Sequence, residues 1–132
     1  MAVDESQFLS TMSGYFKPRH DWREATGRRV TVAIVDSGIE GGHPELKGKV
    51  IESVEARVEG NRVVFDPSTG GDSAGHGTAC AGIIAKIAPD AKFASIKVLG
   101  AGGLGDGLVF IAGLEYYTLA LHDAFRSRKS VV

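Results

Sequence analysis

Apolar positions along the chain fall into short runs that predict strands. The residues 30–35 and 93–99 are almost wholly apolar, as is typical of strands buried on both faces of a parallel sheet. The segments 50–54 and 61–65 alternate between apolar and polar residues, and the glycine-containing turn 59–61 lies between them. These two segments are therefore expected to form a hairpin.

Longer segments between the strands have helical spacing. The residues 76–87 predict a helix that Pro89 ends, and 106–121 predict a second helix. A short helix is also expected over 20–26, with Gly27 as its C-terminal stop. The second helix carries its large apolar residues at the spacing of an amphipathic helix: Leu108, Ile111, Leu114 and Tyr117.

Strands that alternate with helices predict an α/β fold of three layers, in which helices flank a parallel sheet. Residues 1–19 are expected to be an N-terminal extension at the surface, and 20–132 to form one domain. Residues 130–132 have the composition of a strand that has just begun. The sheet is therefore expected to be incomplete on its C-terminal side.

The amino-acid composition and the net charge make some classes of binding partner less expected than others. The 132 residues are 43% hydrophobic and 23% charged, with a formal net charge of −1. This charge gives no electrostatic reason to expect a nucleic acid or an anionic membrane as partner. The acidic N-terminus lacks the features of a secretory signal, which fits either a cytoplasmic protein or the trimmed mature form of an exported one.

Two polar residues stand at the ends of predicted buried elements. Asp36 follows the first apolar strand, where open α/β sheets place their binding crevices. His76 lies between two glycines directly before a helix, so that its imidazole edge is accessible. A histidine base needs this access and an acid that fixes its tautomer, which makes Asp36 and His76 the candidate catalytic pair.

Three blocks of sequence, at 31–46, 75–85 and 96–116, occur in the order found in one protein family. The first two, VTVAIVDSGIEGGHPEL and GHGTACAGIIA, resemble the N-terminal signature blocks of the subtilase family of serine proteases. The third, IKVLGAGGLGDGLVFIAGLEY, resembles the block that follows them. The cysteine in the second block is similar to that of the proteinase-K-like branch. The resemblance implies that 20–132 is the N-terminal portion of a subtilisin-like peptidase domain.

The resemblance also implies roles for individual residues. Asp36 matches the aspartate that orients the catalytic histidine, and His76 matches the general base. The segment Gly103-Leu104-Gly105 matches the backbone that pairs with an extended substrate peptide. The Gly-Thr-Ser-Met-Ala block, which carries the nucleophilic serine of the family, is absent from these 132 residues. The chain alone is therefore expected to be inactive, and a peptide or protein is the expected substrate of the complete enzyme.

No metal or other cofactor is expected. Cys80 shares a helix face with His76 and could be a nucleophile or a metal ligand, and His43 with Glu45 could join a zinc site. A cysteine among small residues is more often a small buried hydrophobe, and zinc needs three or four converging ligands. Glu45 stands where the family often has a calcium ligand, but the loop after Ile87 is short, so no calcium is predicted there.

Two other functions fit parts of the sequence. The residues 100–105 spell G-x-G-x-x-G between a strand and a helix, which is the context of dinucleotide binding. However, the acidic residue that would hold the ribose is missing from the chain. The other alternative is a non-catalytic interaction or complementation module. Its unfinished sheet edge would pair with a second copy or with a separate chain.

Overall fold

The computed structural model describes residues 6–7, 11, 24–69, 71–100 and 106–126, and describes side chains of the last segment over 107–119. Three strands precede the first helix with described bounds, and a fourth strand separates it from the second. Their bounds are Thr31–Asp36 (β1), Val50–Glu59 (β2), Arg62–Pro67 (β3), His76–Ile87 (α1), Lys92–Lys97 (β4) and Asp106–Arg126 (α2).

The described strands form one sheet in the order β1-β4-β2-β3. Strand β4 is parallel to both β1 and β2, whereas β2 and β3 form the antiparallel hairpin that the sequence predicts. Because β4 has a neighbour on each side, its residues 93–96 are all buried. Strand β1 differs from the prediction, since only Ile34 is fully buried. The reason is that β1 lies at the end of the sheet among the described strands.

The two helices lie on opposite faces of the sheet, which confirms the predicted three-layer α/β arrangement. Alternate residues of β1 point to opposite faces, so Ile34 packs in the cluster that contains α1 and Val35 in the cluster that contains α2. The buried members of the first cluster are Ile34, Ile39, Leu46, Ala81 and Phe93. Those of the second are Val54, Ala56, Ile96, Val98 and Val109.

Helix α2 approaches the sheet through its small residues. Val109 is buried, and Gly113 lies so close to Val35 and Val98 that an added Cβ would be within 3.0 Å of each. Of the residues predicted with helical spacing, Leu108, Ile111 and Leu114 are exposed. Tyr117 packs against the second core cluster. The exposed apolar side chains of α2 are Leu108, Phe110, Ile111, Leu114 and Leu119.

The helix predicted over 20–26 is wrong in its described residues, 24–26, which form a turn and irregular backbone. The carbonyl of Thr26 accepts a hydrogen bond from the N–H of Asp90 at 2.9 Å, and Gly27 has a φ of 80°. The hydrogen bond between Thr26 and Asp90 holds this segment against the loop before β4. Within the described part of the chain, no helix has the length and apolar character needed to cross a membrane.

The start of α1 packs closely against the loop that follows β1. The N–H of Gly77 donates to the Oγ of Ser37 at 3.1 Å, and Gly77 is buried. A Cβ at position 77 would overlap the carbonyl oxygen of Gly38. Because that oxygen belongs to backbone, a small side-chain movement cannot relieve the overlap.

We therefore expect Gly77→Ala to lower the free energy of unfolding of the chain by about 3 kcal/mol, through overpacking. Gly82→Ala is the matched control, because a Cβ there would meet only Glu45 Oε2 at 3.8 Å on the same helix. The control should stabilise the chain by up to about 1 kcal/mol through helix propensity. Urea denaturation of both variants is the measurement, and equal midpoints would contradict the close packing.

Candidate active site

Asp36 is the last residue of β1, and its two carboxylate oxygens have different partners. Oδ1 accepts a hydrogen bond from the N–H of Ser37 at 2.6 Å. Oδ2 lies 2.7 Å from Nδ1 of His76. The backbone carbonyl of Asp36 accepts from the N–H of Val98 at 2.9 Å, which anchors the end of β1 to the segment after β4. The side chain is only 16% exposed, so the carboxylate is held in one place.

His76 is the first residue of α1. The preceding Gly75 has a φ of 79°, in the left-handed region that glycine adopts without strain, and it turns the chain into the helix. The side chain of His76 is 69% exposed although Nδ1 contacts Asp36. The structure thus brings the two predicted residues into contact and leaves the ring accessible, which is the geometry of an oriented general base.

A second carboxylate, that of Asp72, accepts most of the hydrogen bonds around the start of α1. Its Oδ1 accepts from Ser37 Oγ at 2.7 Å, from the N–H of Gly75 at 2.8 Å and from the N–H of Ala74 at 3.1 Å. Its Oδ2 accepts from the N–H and Oγ1 of Thr78 at 2.9 and 2.5 Å. Asp72 thereby binds N–H groups near the helix N-terminus that have no partner inside the helix.

These contacts decide the protonation of Asp72. Partial burial opposes ionisation, but the hydrogen bonds from Thr78 and Ser37 outweigh it and hold the pKa of Asp72 well below its usual range. The Asp72 carboxylate is therefore ionised at neutral pH. A negative charge beside the first turn of α1 is also favourable to the helix dipole.

Cys80 lies one turn along α1 from His76, with Sγ 3.9 Å from Nδ1 of His76. It packs against the first core cluster, as expected of a small hydrophobe, although it is only partly buried. Burial raises the pKa of the Cys80 thiol, and the nearby charges of Asp36 and Asp72 raise it further. The thiol is therefore neutral at neutral pH.

Among the described residues, Asp36, His76 and Cys80 each have one potential metal-ligand atom, and these atoms lie within 4.8 Å of one another. A metal ion there would compete with the Asp36–His76 hydrogen bond and would need the thiolate of Cys80. His43 has a different role, because its Nδ1 accepts from the N–H of Glu45 at 3.2 Å. This bond indicates that His43 shapes its own turn.

Sequence reasoning missed Asp72 and Ser37, which the structure places beside the pair. An acidic residue four positions before the helix start was a usable signal, since carboxylates often accept from exposed N–H groups at a helix N-terminus. The predicted substrate segment Gly103-Leu104-Gly105 lies outside the described residues, as do the other residues over 101–105.

Known proteins resemble most of this chain in sequence. A sequence model described as the subtilase family matches residues 27–122. Thermitase of Thermoactinomyces vulgaris is 35% identical over 105 residues, covering 72% of this chain and 35% of that protein. An intracellular serine protease of Paenibacillus polymyxa is 35% identical over 106 residues, covering 72% of this chain and 31% of that protein.

Similarity extends to a solved structure. The crystal structure of a lanthipeptide protease superposes with a TM-score of 0.58 at 28% identity, covering 92% of this chain and 32% of that one. The chain thus spans about a third of the length of each of these relatives. Because the family match extends over 27–122, well over half of the sequence, the chain belongs to the subtilase family.

Proposed function

We propose that this chain supplies the aspartate and the histidine of a subtilisin-like serine endopeptidase. The observation that carries the proposal is the 2.7 Å contact between Asp36 Oδ2 and His76 Nδ1 at the meeting point of β1 and α1. The family of the chain supports the same reaction, the hydrolysis of a peptide bond. The serine of the triad would come from a Gly-Thr-Ser-Met-Ala block outside these 132 residues.

In this mechanism Asp36 accepts a hydrogen bond from Nδ1–H, so that Nε2 of His76 carries the free lone pair. Nε2 removes the proton of the serine hydroxyl while the serine oxygen attacks the peptide carbonyl. The imidazolium that forms is stabilised by the Asp36 carboxylate. It then gives its proton to the leaving amine, and a water molecule repeats the cycle to release the acyl group.

Substrate binding in the proposal involves the segment Gly103-Leu104-Gly105. An extended peptide would add to this segment as a strand, with its backbone hydrogen-bonded to the glycine-rich edge. This role rests on the family resemblance of the block at 96–116.

We expect the 132-residue chain by itself to resist labelling by a fluorophosphonate probe, which reacts with activated serines. None of its serines lies in the family's nucleophile block, and without a nucleophile only weak residual catalysis is left, about 10³- to 10⁴-fold over water at most. Mass spectrometry of the chain after incubation measures the labelling, with thermitase as the positive control. Stoichiometric labelling of the chain would refute its predicted inactivity.

The roles of the pair can be measured in a chimera in which residues 27–122 replace the matching segment of thermitase. We expect this chimera to hydrolyse a peptide anilide. His76→Ala should lower kcat by about 10⁶-fold and Asp36→Asn by about 10⁴-fold, because the residues act as a unit with the serine.

The matched control in the chimera is His43→Ala, which removes an imidazole whose hydrogen bond with Glu45 is local to its own turn. It should leave kcat unchanged. A chimera that keeps its activity without His76, or one that loses as much activity without His43, would contradict the proposed roles.

A second candidate function is that of a complementing module. The observation that favours it is the apolar surface of α2, where Ile111 is 61% exposed and Leu108 is 54% exposed. Clustered exposed apolar side chains mark interaction surfaces in soluble proteins. The partner would be a polypeptide that carries the remaining part of a subtilase catalytic domain, and this candidate is compatible with the first.

We expect the chain alone to associate through α2, because this surface has no cover within the described residues. Light scattering after size-exclusion chromatography should give a mass above the 13.9 kDa of one chain. Ile111→Glu should restore the monomer. Ile87→Glu is the control, since Ile87 is 73% exposed but lies on α1. A monodisperse monomer for the unaltered chain would count against the module.

A further inference from the structure

The carboxylate of Asp72 joins three segments of the chain. It accepts hydrogen bonds from Ser37 in the loop after β1, from Ala74 and Gly75 in the loop before α1, and from Thr78 in the first turn of α1. Five donors on two oxygen atoms saturate the acceptor capacity of a carboxylate, which has about four lone-pair sites. Asp72 therefore links the segments that carry the two residues of the catalytic pair. None of its five hydrogen bonds is to Asp36 or His76 themselves.

The hydrogen-bond partners of Asp72 lie within two residues of Asp36 or His76 in sequence. Ser37 follows Asp36 in sequence, and its Oγ donates to Asp72 while it accepts from the N–H of Gly77, the residue after His76. Ser37 is completely buried, so its hydroxyl has fixed partners. One hydroxyl and one carboxylate thus connect the end of β1 to the start of α1.

Thr78 supplies a parallel connection. Its Oγ1 donates to Asp72 at 2.5 Å and accepts from the N–H of Glu40 at 3.0 Å. The loop after β1 is consequently held at two points, through Ser37 and through Glu40. A shift of the Asp72 carboxylate would release both points and change the distance between the strand end and the helix start.

We propose that Asp72 is a positioning residue for the catalytic pair: it holds α1 against the loop after β1 so that Nδ1 of His76 stays in hydrogen-bond contact with Asp36. This proposal rests on the proposed function of Asp36 and His76. The ionised carboxylate is required, because an amide would turn an NH₂ group toward at least one of the groups that now donate to it. Geometry at this scale matters for catalysis, since a 1 Å displacement can cost about 10²-fold in rate.

The experiment measures the tautomer of the His76 ring in the 132-residue chain, by long-range ¹H–¹⁵N NMR at alkaline pH. In the unaltered chain the contact with Asp36 should fix the proton on Nδ1. Asp36→Asn supplies the reference spectrum for a ring that has lost its carboxylate partner. Asp72→Ala and Asp72→Asn should move the His76 signals toward this reference, with loss of the Nδ1–H preference.

Asp66→Asn is the matched control, because it removes the same charge from β3, at the opposite end of the sheet from β1. Asp66 is paired with Arg57 at 2.7 Å and should leave the His76 signals unchanged when altered. If Asp72→Ala does not fold, Thr78→Val answers the same question by removing one donor to Asp72, and Thr78→Ser should restore the signals.

Two results would overturn the proposal, and they differ in what else they refute. Folded Asp72 and Thr78 variants whose His76 signals match the unaltered chain would show that Asp72 does not position the ring, and the proposed function would stand. An unaltered chain whose His76 signals already match Asp36→Asn would show that the pair itself is not formed, and both proposals would fail.

Discussion

The close approach of helix α1 to the loop after β1 is the constraint on which the site depends. At their contact, the buried Gly77 leaves no room for a side chain beside the carbonyl of Gly38. Buried N–H groups at the start of a helix must find acceptors outside it, and here Ser37 and Asp72 provide them. His76 precedes Gly77 and Asp36 precedes Ser37, so the packing that satisfies these groups also brings the pair together.

Much of this arrangement could be predicted because it is local in sequence. The apolar runs at 30–35 and 93–99 predicted β1 and β4. The glycine-containing turn at 59–61 predicted the hairpin, and Pro89 predicted the end of α1. The segment 20–26 shows where local signals fail. In its described part, 24–26, a helix is replaced by a turn whose carbonyl at Thr26 accepts from Asp90. That bond joins residues far apart in sequence, and helix propensity is a weak preference that such contacts override.

The hydrogen-bond partners of side chains and the side of a helix that faces the sheet were harder to predict than the helices and strands themselves. The periodicity of α2 indicated a helix, but periodicity alone does not say which side meets the sheet. The close contacts of Gly113 put its small-residue side there, and Ile111 is consequently exposed. The role of Asp72 depends on five donors, four of them in its own loop or in α1 and one, Ser37, distant in sequence. The sequence around Asp72, a loop rich in turn-forming residues, does not indicate that its carboxylate accepts from Ser37.

The electrostatics of the site bear on whether Cys80 can act as a nucleophile. Cys80 lies near His76, as a cysteine nucleophile would, but a cysteine attacks as its thiolate. Burial and the charges of Asp36 and Asp72 raise the pKa of the thiol, and a raised pKa suppresses the thiolate, the reactive form of Cys80. The surroundings of Cys80 therefore disfavour this residue as a nucleophile.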